Sequence, residues 1–431
     1  MNKKITDTPL VPRAYLLPFL LVTFLFFLWA LPNNLNDILI KQFMKSFELN
    51  RLEAGLVQSA FYLGYFIFAL PAALIMERFG YKRGLIMGLL LFALGCFLFY
   101  PATLVGKYGF FLFALFVIAS GLAFLETGSN SLVTLLGAPD SAERRLNFTQ
   151  AFNPIGAISG VAIGNIFIFS GIEPSATQEA AMKAAGTYTG FLREETLRIG
   201  PPYIVIGLVV ILWAILIYRT KFPAVAGISV ETDNEKGSLK ALWHFPHFTK
   251  GVLAQFFYIG AQVGTWSFFI QYVQDYTMAS EKVAANFLMG TLVAFGVGRF
   301  AATWLMKSIS PGTLMGIFSG INVLLVSIGI IFPGSLGMWA IFFTSFFMSL
   351  MFPTIFALGV KGLGHNTKRG GSIIVMAIIG GAVWTPLMGL IADQTGSMAL
   401  AMLIPLLSYL YIIYYAFSGS RIAPVTLANH E

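Results

Sequence analysis

The sequence predicts an all-α membrane protein, on three observations. Of its 431 residues 57% are hydrophobic and only 11% are charged, with a mean hydropathy of +0.78, which is too apolar for a soluble chain of this length. Apolar segments of about 20 residues recur along the chain, the length a helix needs to cross roughly 30 Å of hydrocarbon. The ten-residue alternation that marks a transmembrane strand does not occur. A helical bundle follows, not a barrel.

Twelve spans are read, at 15–42, 52–77, 83–101, 108–136, 146–171, 201–219, 248–275, 283–306, 312–332, 336–360, 371–393 and 398–418. The first follows Lys3, Lys4 and Arg13 as a signal peptide would, but its apolar stretch is too long and lacks a small-residue cleavage site, so retention is expected. With the amino terminus inside, Lys and Arg concentrate in the two tails and the even-numbered loops, which places both termini in the cytoplasm. The net charge of +8 is therefore a topology signal, and no basic stripe interleaved with aromatics suggests nucleic acid. The one cysteine, Cys96, excludes an intrachain disulfide.

The most polar internal stretch runs from Phe222 to Lys250, with Glu231, Asp233, Glu235, Lys236 and Lys240. It divides the chain into two six-helix bundles, residues 1–220 and 248–431, joined by a cytoplasmic linker at 221–247. A weak internal echo supports the division: Gly121–Gly137 aligns with Ser349–Gly364 when their terminal Leu-Gly pairs are superposed, and Glu126 then falls opposite Pro353. The segment from Ile172 to Gly200 is an external loop able to cap an entrance. Two related halves around a midplane cavity are the architecture of the major facilitator transporters. Glu77-Arg78-Phe79-Gly80-Tyr81-Lys82-Arg83 resembles that superfamily's acidic-Arg-x-Gly-x-basic-basic loop, with Glu77 where Asp is usual. A bend at Gly80 would let Arg78, Lys82 and Arg83 meet helix carboxyl ends and acidic groups as a cytoplasmic gate; plain positive-inside anchoring is the competing reading.

Only Asp37 and Glu126 lie deep inside apolar runs. A carboxylate at mid-bilayer costs roughly 2.5–3.5 kcal/mol on insertion scales and normally faces a bundle interior or wet cavity, so this pair is the expected proton-coupling machinery. Asn33 and Asn34 precede Asp37 by four and three residues on one helical face, next to Pro32, which invites a kink. Ser129 and Asn130 follow Glu126 at the same spacings. Asn147, Gln150 and Asn153 recur at steps of three in span five, ahead of Pro154 and a Gly156-x3-Gly160-x3-Gly164 ladder read as a close helix-packing face. Span seven carries Gln255, Tyr258, Gln262 and Trp266 as a stripe of amides and rings. Such a surface suits a sugar, with amides for vicinal hydroxyls and an aromatic face for the apolar side of the ring; packing is the alternative for Trp266. Phe352 and Trp384 are further candidates, beside Pro353 and Pro386, and Asp393 at a span end reads as a capping or gating group.

These residues sit in FFLWALPNNLNDIL (Phe26–Leu39), AGLVQSAFYLGYF (Ala54–Phe66), GLAFLETGSNSLVTLLG (Gly121–Gly137), RLNFTQAFNPIGA (Arg145–Ala157), AQFFYIGAQVGTWSF (Ala254–Phe268) and FPTIFALGVKGLG (Phe352–Gly364). Through nearly all of its length the chain resembles the bacterial fucose:proton symporters of the fucose, galactose and glucose family within the major facilitators. The resemblance implies import of a neutral monosaccharide with a proton across the inner membrane, with Asp37 and Glu126 matching the two essential carboxylates. It also directs Asn34, Gln150 and Asn153 to the central cavity, with Gln262 and Trp266 opposite. Ser131 and Pro154 stand where the fucose-carrying members have Pro and Ser, and Phe352 replaces a Tyr, which bears on the sugar's identity.

The proton is the expected coupling ion, with no cofactor, and the carrier is expected to act as a monomer. Four rivals differ in testable ways. Facilitated diffusion without coupling would leave two buried acids without a use. A sodium-coupled hexose or N-acetylhexosamine symporter would hold Na⁺ at Asp37 and the amide oxygens. A drug or lipid exporter would have a broader cavity with fewer amides. A membrane enzyme is disfavoured because His244, His247, His365 and His430 lie in loops or the tail and no Cys/His/carboxylate cluster has metal-ligand spacing.

Overall fold

The computed structural model describes residues 11–137, 142–222, 242–306, 308–363 and 366–421, and the described residues are helical with no strand. Most of the linker proposed at 221–247 lies outside the described residues, as does the side chain of Glu77. Eleven described helical segments are long and apolar enough to cross a membrane. Their outward faces carry large apolar side chains, such as Phe300 at 75% and Leu324 at 66% exposure. Hydrocarbon solvates such a surface, while the helix satisfies its own backbone polar groups.

The chain folds as two compact units, Met1–Leu49 with Ala60–Glu231, and Asn50–Ser59 with Thr232–Glu431. In the first unit α1 is Leu16–Phe47, α2 Arg51–Phe79, α3 Tyr81–Val105 and α4 Tyr108–Leu135. Span five is two helices, α5 (Ala142–Gln150) and α6 (Phe152–Ile163), followed by a π turn over Gly164–Ile168. Two short helices, α7 (Ala176–Ala184) and α8 (Tyr188–Leu197), precede α9 (Gly200–Arg219). α3 packs along α4 and α9, and α1 along α6.

The glycine ladder is the face that α6 turns to α1. A Cβ at Gly160 would sit 2.5 Å from the Leu31 carbonyl oxygen, one at Gly156 would collide with the Phe27 carbonyl, and one at Gly164 would meet Ile38 at 2.7 Å. The two backbones thus touch on both sides of Pro32. α1 itself runs to Phe47, five residues past the apolar run. Its extra turn is held by polar bonds: Glu195 of α8 accepts from Lys45 Nζ at 2.7 Å and Gln42 Nε2 at 2.9 Å. α7 and α8 thereby give structure to the segment read as an external loop. Ser175 and Gln178 form a capping box at the start of α7.

In the second unit α10 is Pro246–Thr277, α11 Glu281–Leu305, α12 Pro311–Ile331, α13 Ser335–Met348 and α14 Met351–Val360. Thr367–Met376 is α15, Gly380–Thr395 is α16, Met398–Ala401 is α17 and Leu403–Tyr414 is α18. Spans five, ten, eleven and twelve, read from sequence as continuous, are therefore interrupted, span eleven by a 3-10 turn over Ala377–Ile379 and span twelve at Met402. In spans five and ten a proline follows the gap, Pro154 after Ala151 and Pro353 after Leu350, where the missing N–H removes an i→i−4 bond. α10 packs centrally against α14, α16 and α18.

Candidate functional site

Asp37 is 3% exposed on α1 and Asn34, one turn earlier, is 6% exposed with its amide nitrogen donating to the Ala30 carbonyl at 3.0 Å. Asn33 is half-buried, and its side-chain oxygen accepts from the Tyr62 hydroxyl of α2 at 3.4 Å. Three residues further along α2, the buried Tyr65 lies beside Glu126 on α4. Two tyrosines on one face of α2 thus touch the polar faces of both acid-bearing helices, and α1 and α4 pack on each other. The sequence does not single out Tyr62 and Tyr65, because their rings read as part of an apolar run; their i, i+3 spacing is the available signal.

Beside Glu126 two polar groups have no hydrogen-bond partner among the described residues: the Ser129 hydroxyl and the Asn130 side-chain oxygen. Ser129 is fully buried. Such groups normally find a partner in protein, water or ligand. Gln150 closes α5 and Asn153 lies in the first turn of α6, so these two half-buried amides flank the break at Ala151 instead of lying along one continuous helix. Broken helices of this kind border substrate sites in secondary transporters.

In the second unit the stripe on α10 separates by depth. Gln255 and Tyr258 are fully buried, while Gln262 and Trp266 are half-exposed. Tyr258 donates to the Met348 carbonyl at 3.2 Å, and neither polar atom of the Gln255 side chain has a partner among the described residues. Trp266 is held in place by its Nε1 donating to Ser345 Oγ at 3.0 Å and by an edge-on contact with Phe295 at 5.2 Å. Phe352 meets Tyr258 edge-on at 6.4 Å, and Trp384 stacks on Phe257 at 5.2 Å.

At the bend Gly80 has φ of +85°, which a side chain would resist. Lys82 donates to the carbonyls of Tyr218 at 2.8 Å and Thr220 at 2.9 Å, capping the carboxyl end of α9. Arg78 lies over the Phe79 ring and Arg83 is exposed. Asp393, near the end of α16, accepts from the backbone N–H of Arg51 at 3.1 Å and of Leu52 at 2.8 Å, which makes it a cap for α2.

The model of the Major Facilitator Superfamily matches residues 19–368. The chain belongs to this superfamily. Among its relatives in it, the chain is 43% identical over 417 residues, 95% of both chains, to the L-fucose-proton symporter of Escherichia coli (strain K12). It is 36% identical over 403 residues, 93% of both chains, to the glucose/galactose transporter of Brucella abortus biovar 1. A crystal structure of the transporter FucP in the outward conformation is 42% identical, covers 94% of this chain and 99% of its own, and superposes with a TM-score of 0.70. As a member of the superfamily the chain is a multi-pass transporter and not an enzyme.

Proposed function

We propose that this protein imports a neutral hexose or deoxyhexose, L-fucose first among them, together with a proton by alternating access in the bacterial inner membrane. The observation that carries this reading is the 43% identity to an L-fucose-proton symporter along 95% of both chains. Twelve spans in two bundles, residues 1–220 and 248–431, joined by the linker at 221–247, complete the architecture, with both termini cytoplasmic. α10 serves as a span beside the eleven segments of sufficient hydropathy; its glutamines, Gln255, Gln262, Gln271 and Gln274, lower its hydropathy.

Asp37 and Glu126 carry the proton coupling. Protonation of Asp37 from outside neutralises α1 and favours sugar binding, and Glu126 senses the bound sugar or shares its proton. Asn33, Asn34, Asn130, Gln150 and Asn153 offer amides to the hydroxyl groups, with Gln262, Trp266 and Phe352 from the second unit. The burial of Asp37, the open hydrogen-bonding capacity of Asn130 and the interrupted span five support these roles. Glu77, Arg78, Lys82 and Arg83 act as the cytoplasmic gate, which the anchoring of Lys82 at the end of α9 supports. One proton crossing 100 mV supplies about 2.3 kcal/mol, enough for roughly fifty-fold accumulation of a neutral solute.

The test is a thermal-shift panel of fucose, galactose, glucose, N-acetylhexosamines, mannose and fructose at two pH values, followed by uptake into proteoliposomes under a pH jump. Stabilisation by one sugar and its accumulation driven by the pH gradient without sodium are expected. Uptake that depends on sodium and ignores the proton gradient would overturn the coupling assignment.

A further inference from the structure

Beside α8 the first unit holds a cavity of about 410 Å³ that the proposed transport cycle does not use. Small-molecule sites typically enclose about 300–1,000 Å³. Phe191, Glu194, Glu195 and Arg198 line it at positions i, i+3, i+4 and i+7, so one helical face presents a ring, two carboxylates and a guanidinium. Ser170 and Ile172 complete the wall from the segment that leads into α7. Most of the polar groups are held in place by the protein itself. Glu195 accepts from Lys45 Nζ at 2.7 Å and from Gln42 Nε2 at 2.9 Å, and Arg198 Nε donates to the Ile168 carbonyl at 3.1 Å. Ser170 Oγ accepts from the Ile172 N–H at 3.0 Å and from Lys45 Nζ at 3.4 Å. Glu194 differs: it is exposed, and its carboxylate has no partner among the described residues.

We propose that this cavity is a second binding site for a neutral monosaccharide, built from the first unit alone and separate from the amides at the break in span five. Charge decides the class of ligand. Glu194 and Glu195 are balanced by Arg198 and by Lys45 behind Glu195, so the wall has no net charge with which to select an anion or a cation. A hydroxylated ring matches what remains. Glu194 can accept from two adjacent hydroxyls, and the Arg198 guanidinium keeps N–H donors beyond the one spent on Ile168. The half-buried Phe191 ring covers the apolar side of a sugar, with Ile172 and Leu197 as its apolar neighbours in the wall. Fixed acceptors and donors need little reordering when the ligand arrives, which favours binding in so open a place. The site also touches the machinery: Glu195 holds Gln42 and Lys45 of α1, the helix that carries Asp37. This proposal rests on the sugar reading of the carrier and on the external placement of α8, but not on which acid carries the proton.

The full chain carrying Cys96→Ala and Arg193→Cys tests it, because a bimane fluorophore on Cys at 193 reports from an exposed position next to Glu194 without altering the wall. Titration with L-fucose, D-galactose and D-glucose should give a saturating change in emission with at least one of them. The change should persist when Gln262→Ala with Trp266→Ala weakens the central site. Its half-saturation should rise at least about fivefold with Glu194→Gln and with Phe191→Ala, each of which removes one contact. A carrier that accumulates one of these sugars yet shows no saturating change overturns the proposal. So does a change that vanishes with the central-site pair, or a half-saturation that neither wall variant moves. Uptake measured on the same preparations separates the two readings: if none of the sugars is taken up, the sugar assignment fails, whereas uptake without a response at position 193 removes the second site alone.

Discussion

Tyr62 on α2 hydrogen-bonds Asn33 on the helix that carries Asp37 at 3.4 Å, and Tyr65, one turn further, lies beside Glu126 on α4. Both acid-bearing helices therefore meet one face of a third. Tyr65→Phe removes the hydroxyl beside Glu126 and should reduce pH-driven accumulation in proteoliposomes with the fold retained. Accumulation equal to that of the parent would remove Tyr65 from the coupling.

Asp37→Asn keeps the shape of the side chain and loses its titration. Uphill accumulation should disappear while sugar exchange across the membrane persists. Proteoliposomes of this variant that still concentrate sugar after a pH jump would show that Asp37 is not the coupling acid. For Glu126→Gln the expected outcome is weaker binding or weaker coupling, read by calorimetry and uptake together.

The contact of α6 with α1 leaves no room for a side chain. Gly160→Val would push into the Leu31 carbonyl, and overpacking of this kind costs about 1–3 kcal/mol. A lowered unfolding temperature in detergent is expected. Gly109→Ala, where nothing lies within 4 Å of the added carbon, serves as the control and should leave that temperature unchanged.

Lys45 and Glu195 form a largely buried pair, with side-chain exposures of 12% and 3%. Glu195→Leu takes this carboxylate from the lysine, which keeps the Ser170 hydroxyl, and should lower stability, by less than the about 3–5 kcal/mol seen when a fully buried pair is broken. The double variant Lys45→Met with Glu195→Leu should recover most of that loss, because an apolar replacement of both partners removes the desolvation cost as well. A single variant as stable as the parent in thermal unfolding would contradict this account.

Much of this architecture is legible in the sequence because lipid imposes a strict rule. Apolar length alone places nearly every span, and the glycine ladder reads as the packing face it is. What hydropathy misses is where polar bonds replace it. α1 continues to Phe47 because Gln42 and Lys45 find Glu195, a partner 150 and more residues away that no local pattern reveals. Asn153-Pro154 is visible as a polar step, but the gap it makes between α5 and α6 depends on a missing amide donor. The stripe from Gln255 to Trp266 is correctly spaced as a helical face, yet spacing alone does not say that Gln255 and Tyr258 are fully buried while Gln262 and Trp266 are only partly so. Asp393 reads as a capping group from its place at a span end, although the helix it caps lies more than 300 positions earlier.

The pair α7 and α8 has a practical consequence. α7 buries none of its residues, yet the assembly is fastened to the end of α1 by Glu48 with Lys183 at 3.4 Å and Tyr188 at 3.2 Å, and by Glu195 with Lys45. It is a hydrophilic handle on an otherwise greasy molecule. An antibody fragment raised against it would hold the very helix on which Asp37 resides, and could serve as a fiducial for imaging and as a brake on that helix.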